Sequence, residues 1–597
     1  MTAIALDSAP QKHPKGLKWL FLTEMWERFS FYLMIGILYL YLVDSQKGGM
    51  GWDGKKAAGV VGSYLALVYF TPFIGGIIAD RLLGMRKTVI IGGILMAIGH
   101  VLLAFPSETM LYLALLALVL GNGCFKPNIS TLVGNLYPKD SPLRDAGYNI
   151  FYMGINLGAF ACNFVAAIVR NKWGWHAAFA SAGVGMVIGL IIFIVTQKDF
   201  AHADVNPKEN KNRESLAPLW IRCIGPAVVF GIAGWVLGGL GSGGMGTGKG
   251  IFGLGSATTA FLFACMPVVY FFIWIRSTLK DPGEKSRTSA LLVIYLVVVT
   301  FWAIFHQNAT ALSEWASSNT DRTPNALVRP IVDLAPDFAE TAPPGYYKNA
   351  AASTVRPEAR MFEVVPEDVY KQLEKDKKLN VEQGKPTQVT QSMFDDIYAN
   401  AGPERAPDHV RLVNAELFQS INAGFVILFT PLLVGVFAFL RRKKKEPSTS
   451  AKIGLGLFVT GCSALVMFFA VLATNDANPK AGAYWLFGVY GVVTIGELLL
   501  SPMGLSLANK MAPASIRAFM MGGWFLSTSI GNKLSGLFGE VYHSWDHRVF
   551  FIVNALAVFA SAGAIFLLLP WLRRQMGEGA PEGGPAVAPA APGAPAS

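Results

Sequence analysis

Several charged side chains lie where the surrounding residues are apolar, and these are the positions that could do chemistry. Glu497 sits inside GVYGVVTIGELLLSPMGLSLA, far from either end of the run. Pro502 and the flanking glycines predict a bent helix with close neighbours there. Glu24, Glu27, Arg28 and Phe31 are spaced i, i+3, i+4 and i+7, so a helix carries them as one stripe, with Tyr32 next to it. Two carboxylates beside one guanidinium make a partly paired cluster, in which one carboxyl is free to change its proton or its partner. Lys126 lies mid-run in LVLGNGCFKPNISTLVGNLY, just before Pro127, and His306 and Gln307 lie in VVVTFWAIFHQNATAL. A histidine in such a place can titrate near neutral pH. Each of these residues also has a plainer reading: a bonded carboxyl at Glu497, side chains snorkelling to water at Glu24 and Glu27, an ordinary lysine at a membrane face, a structural histidine. Asn156 and Asn422 are cheap to bury, and each alone reads as a helix–helix hydrogen bond. Together, Arg28, Lys126 and Tyr32 on one side and Glu497 and Asn422 on the other describe a site cationic at one end and anionic at the other. A zwitterion whose charges are one to three residues apart fits it. No nucleophile–base–orienter motif accompanies these groups, so the expectation is a binding site and not an enzyme.

The elements that must position these residues are membrane helices. Of 597 residues, 53% are hydrophobic and only 15% charged, where a soluble protein of this length carries about a quarter. Apolar runs recur near the ~20 residues that cross a bilayer as a helix. We read fourteen, at about 18–42, 57–79, 87–105, 109–136, 147–169, 176–196, 218–240, 251–276, 289–313, 416–440, 452–474, 482–507, 516–540 and 547–572. A charge near the centre of such a span costs at least ~2.5–3.5 kcal/mol, which is why the residues above stand out. The net charge of +11 comes from basic residues in short loops, most densely Arg441, Arg442, Lys443, Lys444 and Lys445. The positive-inside rule accounts for them and puts both termini on the cytoplasmic side of an inner membrane. Without an aromatic-interleaved basic surface, nucleic-acid binding has no support. The five cysteines all fall in apolar runs, with no disulfide or metal spacing.

The expected fold is all-α and polytopic. Residues 1–200 form a six-helix bundle. Residues 201–288 carry a cytoplasmic linker and an extra two-helix hairpin with a Gly/Ser-rich turn from Gly238 to Gly250. Residues 289–315 are the next helix, 316–413 a periplasmic insert, and 414–575 the rest of a second bundle. The insert has 15 acidic and 12 basic residues. Its segment Pro366 to Lys378 has helical character, and the whole is expected to lie as a small cap on the helical bundles. The Gly/Ala/Pro-rich tail, 576–597, is expected to be disordered.

Three motifs carry a specific resemblance. They are Glu24-Met-Trp-Glu27-Arg28-Phe29-Ser-Phe31-Tyr32, Gly121-Asn-Gly123-Cys-Phe-Lys126-Pro127-Asn128, and Phe151-Tyr152-Met-Gly-Ile155-Asn156-Leu-Gly158. They resemble the proton-dependent oligopeptide transporter family of the major facilitator superfamily. Gly75 through Lys87, Gly496 through Leu505 and Trp524 through Asn532 also match. The resemblance implies a major facilitator fold of two six-helix bundles, with the extra pair between them in sequence, and a symporter that imports di- and tripeptides with protons through the lipid bilayer, without a cofactor. It implies that Arg28 and Lys126 hold the peptide carboxylate, and that Glu497, Asn156 and Asn422 hold its amino terminus. Tyr32, Tyr69, Trp302 and Trp524 would line side-chain pockets, and Glu24 and Glu27 would couple protons with Arg28. Three positions depart from the family pattern. Phe31 replaces a tyrosine, His306 stands where an acid is common, and Gly62 aligns with a histidine of animal members. His306 is the candidate further proton-responsive group. The alternatives are a same-fold carrier of another anion such as nitrate, which has no amino end for Glu497, and a membrane protein whose exported insert is the working part.

Overall fold

The computed structural model describes residues 12–576 apart from 46, 139–140, 142, 205–216, 218–219, 240–254, 325–331, 334, 342–380, 383–384, 387–410, 478–479 and 514–516. The first half contains α1 (Lys15–Val43), α2 (Gly54–Phe70), α3 (Pro72–Ile78), α4 (Met85–Leu103), α5 (Glu108–Asn135) and α6 (Leu143–Thr196). After α7 (Gly225–Gly239) and α8 (Ser256–Thr278), the second half contains α9 (Pro282–Phe305), α10 (Ala311–Glu314), α11 (Ser420–Arg442), α12 (Thr449–Ala473), α13 (Tyr484–Met511), α14 (Arg517–Tyr542) and α15 (His547–Met576). Local chemistry sets several starts. The Asp53 side chain accepts from Lys55 N at 3.0 Å, and Asp281 accepts from Glu284 N at 2.8 Å with Pro282 in the first turn.

Among the described residues, twelve helical stretches are long and apolar enough to cross a membrane. One of them, residues 146–203, reverses at Gly174, whose φ of 83° is open to glycine, and so holds two crossings. α14 is 26 residues long but is not among the twelve. Its Ser527, Thr528, Ser529, Asn532, Lys533 and Ser535 lower its hydropathy, yet all are buried. With these two, the described residues contain the fourteen spans expected from sequence. The spans are less regular than the apolar runs imply. The second breaks at Thr71–Pro72, and α9 stops at Phe305 in a 3-10 turn, His306–Ala309. The extra pair, between the halves in sequence, packs in space on the second half, where Phe271 and Phe272 join the core of Leu291, Ile294 and Trp524. The Gly238–Gly250 turn, the Pro366–Lys378 segment and the tail from 577 lie almost wholly outside the described residues.

The two halves are tied together at the end that carries the insert. There β1 (Thr320–Asp321) pairs parallel with β4 (Ala481–Gly482), joining the insert to the second half, and β2 (Ala339–Thr341) pairs antiparallel with β3 (Arg411–Val413) within the insert, Glu340 opposite Leu412; the ties to the first half are made by side chains. The described base of the insert thus lies on the helices. Glu340 accepts from Lys47 Nζ at 2.5 Å, Arg322 Nη1 at 2.6 Å and Arg170 Nη2 at 3.3 Å. Arg170 also pairs with the buried Glu416 at 2.8 Å, and the Asn171 and Asn414 side chains exchange hydrogen bonds of 3.0 and 3.2 Å. Lys47, Arg170 and Asn171 belong to the first half, so the insert base straps one half to the other. Nearer the middle, Tyr39 donates to Glu314 at 3.0 Å and Asn163 donates to Ser420 at 3.1 Å. At the opposite end the described bonds stay within a half. Arg86 pairs with Asp204 at 2.9 Å, and Lys452 pairs with Glu446 at 2.6 Å.

Burial works against the Glu340 carboxylate, but Arg322, Arg170 and Lys47 outweigh it and hold the group well below the usual carboxylate range. Its contribution is therefore complete above the unfolded value of about 4.3 and is lost only as pH falls toward the depressed folded value. Glu340→Gln should cost about 3 kcal/mol, because it strands buried cations. The loss in thermal stability should be the same at about pH 8 and pH 5. Melting curves of the two proteins at both pH values check this, and a deficit that disappears by pH 5 would contradict it.

Candidate functional site

α1 places Glu24, Glu27 and Arg28 on one buried stripe, each at most 1% exposed. Arg28 grips Glu27 with two nitrogens, Nε to Oε2 and Nη2 to Oε1, the latter at 2.6 Å. Its Nε lies 3.3 Å from Glu24 Oε1, and Glu24 Oε2 has no partner among the described residues. Glu27 is thus the committed partner of Arg28, and Glu24 is half-engaged. Arg28 also lies over the Phe31 ring at 4.9 Å. The position that lacks a tyrosine hydroxyl therefore offers the guanidinium an aromatic face instead.

Lys126 projects from α5, whose helix runs unbroken through Pro127. Its Nζ sits 4.5 Å above the Tyr69 ring, within electrostatic reach of Glu24, Glu27 and Arg28. Among the described residues it makes no ion pair. In the other half, the Asn422 side chain on α11 donates to Thr494 at 2.9 Å and to Glu497 at 3.1 Å, both on α13. Glu497 faces the first half, within electrostatic reach of Tyr32, Tyr69 and Tyr152. Asn156 donates back to Tyr152 O at 3.0 Å. Beside the Glu497–Asn422 pair, Gln307, Asn422, Met467, Val489, Tyr490 and Phe551 line a small, mostly apolar pocket.

His306 lies in the turn after α9. Its Nδ1 is 3.2 Å from Trp302 O, and Tyr69, Trp302 and Phe305 surround the ring at 5.2–5.7 Å. Trp302 reaches Trp524 edge-on at 6.3 Å, but Trp524 is 3% exposed and packs into the second-half core against Tyr295. The structure therefore brings Tyr32, Tyr69, Lys126 and Glu497 together and sets Trp524 one layer behind them. Two tyrosines escaped the sequence reading. Tyr152 stands one turn before Asn156 and close to Glu497, and the buried Tyr64 is within electrostatic reach of Glu27 and Arg28. The one-turn spacing from Asn156 could have flagged Tyr152; nothing in sequence marks Tyr64. At Gly62, a methyl group would run into the Cα of Gly536, so this interface has no room for a histidine there.

Comparisons with known proteins bear on the family and the fold. The model of the POT family matches residues 86–330 and 407–552. The uncharacterized transporter YclF of Bacillus subtilis (strain 168) is 31% identical over 583 residues, covering 96% of this chain and 97% of that one. The di-/tripeptide transporter of Lactococcus lactis subsp. cremoris is 28% identical over 572 residues, covering 93% and 95%. The crystal structure of the peptide transporter POT in complex with sulfate superposes with a TM-score of 0.69 at 28% identity, over 95% of this chain and 98% of that one. With twelve helical stretches among the described residues long and apolar enough to cross a membrane, two helical halves facing one another across opposite charges, and matches of this length, the chain belongs to the POT family of proton-dependent oligopeptide transporters and has the major facilitator fold.

Proposed function

We propose that this protein imports di- and tripeptides with protons across the inner membrane by alternating access, with both termini in the cytoplasm and the insert in the periplasm. The observation that carries the reading is the division of charge between the halves: Arg28 and Lys126 on one, Glu497 held by Asn422 on the other, with tyrosines between. A peptide's carboxylate is met by Arg28 and Lys126, and its amino group by Glu497, Asn156 and Asn422. Tyr32, Tyr69, Trp302 and Trp524 shape the room for its side chains, with Trp524 acting through Trp302. The strap at the insert end and the separately tied halves at the other fit a state open to the cytoplasm. A proton on Glu24 or Glu27 loosens the hold on Arg28 and frees it for the ligand. The names of the Lactococcus lactis relative and of the matching crystal structure support a peptide as cargo.

Purified protein in proteoliposomes should concentrate alanyl-alanine when the outside is more acidic, and only equilibrate it without a gradient. Accumulation indifferent to a protonophore would refute the coupling, and competition by nitrate but not by dipeptides would favour the anion reading. A second proton-responsive role is proposed for His306. His306→Gln is expected to keep peptide binding but flatten the pH dependence of uptake between about pH 5.5 and 7.5, around the reference imidazole pKa. An unchanged profile at normal expression would reduce His306 to its hydrogen bond with Trp302.

A further inference from the structure

Lys533 is 1% exposed in the middle of α14, and it takes no part in the site above. Its Nζ crosses to the other half and donates to Ser63 Oγ on α2 at 2.6 Å. Among the described residues it makes no ion pair. An ammonium buried in a membrane protein with one hydroxyl as its hydrogen-bond partner among the described residues is costly, and a lysine in that position responds readily to its surroundings. The rest of the contact is polar as well. Ser529 Oγ donates to Ala66 O at 2.6 Å and Asn532 Nδ2 donates to Leu65 O at 3.4 Å. Small residues at Gly62 and Gly536 let the two backbones touch.

Ser63 Oγ in turn donates to Gly59 O at 2.7 Å. At Gly59 a methyl group would lie 2.6 Å from Glu540 Oε1, so this carboxylate rests against bare backbone one turn from Ser63. Glu540 is seven residues beyond Lys533, about 10.5 Å along the same face. It is within electrostatic reach of Lys533 and of the exposed Lys55 at the start of α2. Lys55, Glu540, Gly59, Ser63 and Lys533 thus form a polar track from the insert end into the α2–α14 contact. Other titratable groups on the elements packed against it are His306 in the turn after α9 and Glu314 on α10, and His543, the residue after α14, lies against Gly54 at the start of α2.

We propose that Lys533 and Glu540 form a second proton-responsive pair, distinct from the α1 cluster, in which Lys533 is a positioning residue that sets how firmly α14 holds α2. The proposal rests on the proton-coupled transport reading. A charge-assisted bond is roughly twice as strong as a neutral one. The ammonium therefore favours halves closed at the insert end, and the neutral amine eases their separation.

The test is proton-driven alanyl-alanine uptake in proteoliposomes from about pH 5.5 to 8, beside gradient-free counterflow, for wild type, Lys533→Met, Lys533→Arg and Ser63→Ala. Lys533→Met and Ser63→Ala should displace or flatten the alkaline limb by at least about half a pH unit, with counterflow within about twofold. Lys533→Arg, always charged, should restore uptake at neutral pH and retain it where the wild type declines. Wild-type profiles in Lys533→Arg and Ser63→Ala would overturn the inference, as would equal loss of driven uptake and counterflow in every variant. A wild type without proton-driven uptake would overturn the transport reading and this inference with it.

Discussion

Glu27→Gln is expected to abolish concentrative peptide uptake while leaving counterflow measurable. The physical reason lies in the two-point grip of Glu27 on Arg28. A carboxylate that holds a guanidinium through two parallel bonds competes directly with a ligand carboxylate for the same donors. Protonating Glu27 breaks that competition and so ties ligand capture to the proton. Glutamine has nearly the same shape but is fixed in the neutral condition, so Arg28 stays available whatever the pH. Ligand still binds and exchanges, but the proton gradient no longer has a handle. The accumulation ratio should fall to about one, with counterflow within roughly tenfold of wild type, a barrier change of about 1.4 kcal/mol. Measuring both in the same vesicles separates this from misfolding, which removes both. Accumulation by Glu27→Gln that still follows the pH gradient would place the coupling elsewhere. Glu24, with one unpartnered oxygen, would be the first residue to examine in that case.

Lys126→Ala should weaken peptides with a free C-terminus far more than the same peptides amidated there. Lys126 makes no ion pair among the described residues and is held over the Tyr69 ring at 4.5 Å. Its charge is therefore available to a ligand. A hydrogen bond to a charged group contributes about 1.5–3 kcal/mol, which corresponds to roughly ten- to a hundredfold in affinity. That loss should appear for alanyl-alanine. The amide, which gives the lysine no charge to meet, should change by less than about threefold. Competition against a labelled dipeptide measures both. Equal relative losses would show that Lys126 does not read the carboxylate. Glu497→Gln should complement this result by sparing N-blocked peptides, because its carboxylate sits with Asn422 on the other half.

The sequence by itself determined the membrane character, the number of spans and most of the site. Apolar runs of bilayer length can satisfy their backbone only as helices. A charge inside such a run is costly enough to be noticed one residue at a time, which is how Glu24, Glu27, Arg28, Lys126 and Glu497 became legible. The helical period also placed the α1 residues on one stripe, and the structure keeps them there. Tertiary structure decided what periodicity cannot encode. Which carboxylate holds Arg28 depends on rotamers and on α1's neighbours, and sequence spacing alone left Glu24 and Glu27 equivalent. Trp524 lies in an aromatic cluster behind the site because Gly504 and Gly523 admit it and Tyr295 into close packing. Lys533 passed as one polar residue among many in the least hydropathic of the spans. Only the docking of α14 on α2, with glycine meeting glycine at Gly62 and Gly536, reveals it as a buried charge between the halves. The strap at the insert end was equally invisible, because Glu340, Arg170 and Lys47 are far apart in sequence and meet only when the two halves close on each other. Helix formation and burial are driven by local composition, but the pairing of charges across an interface depends on the packing of both surfaces at once.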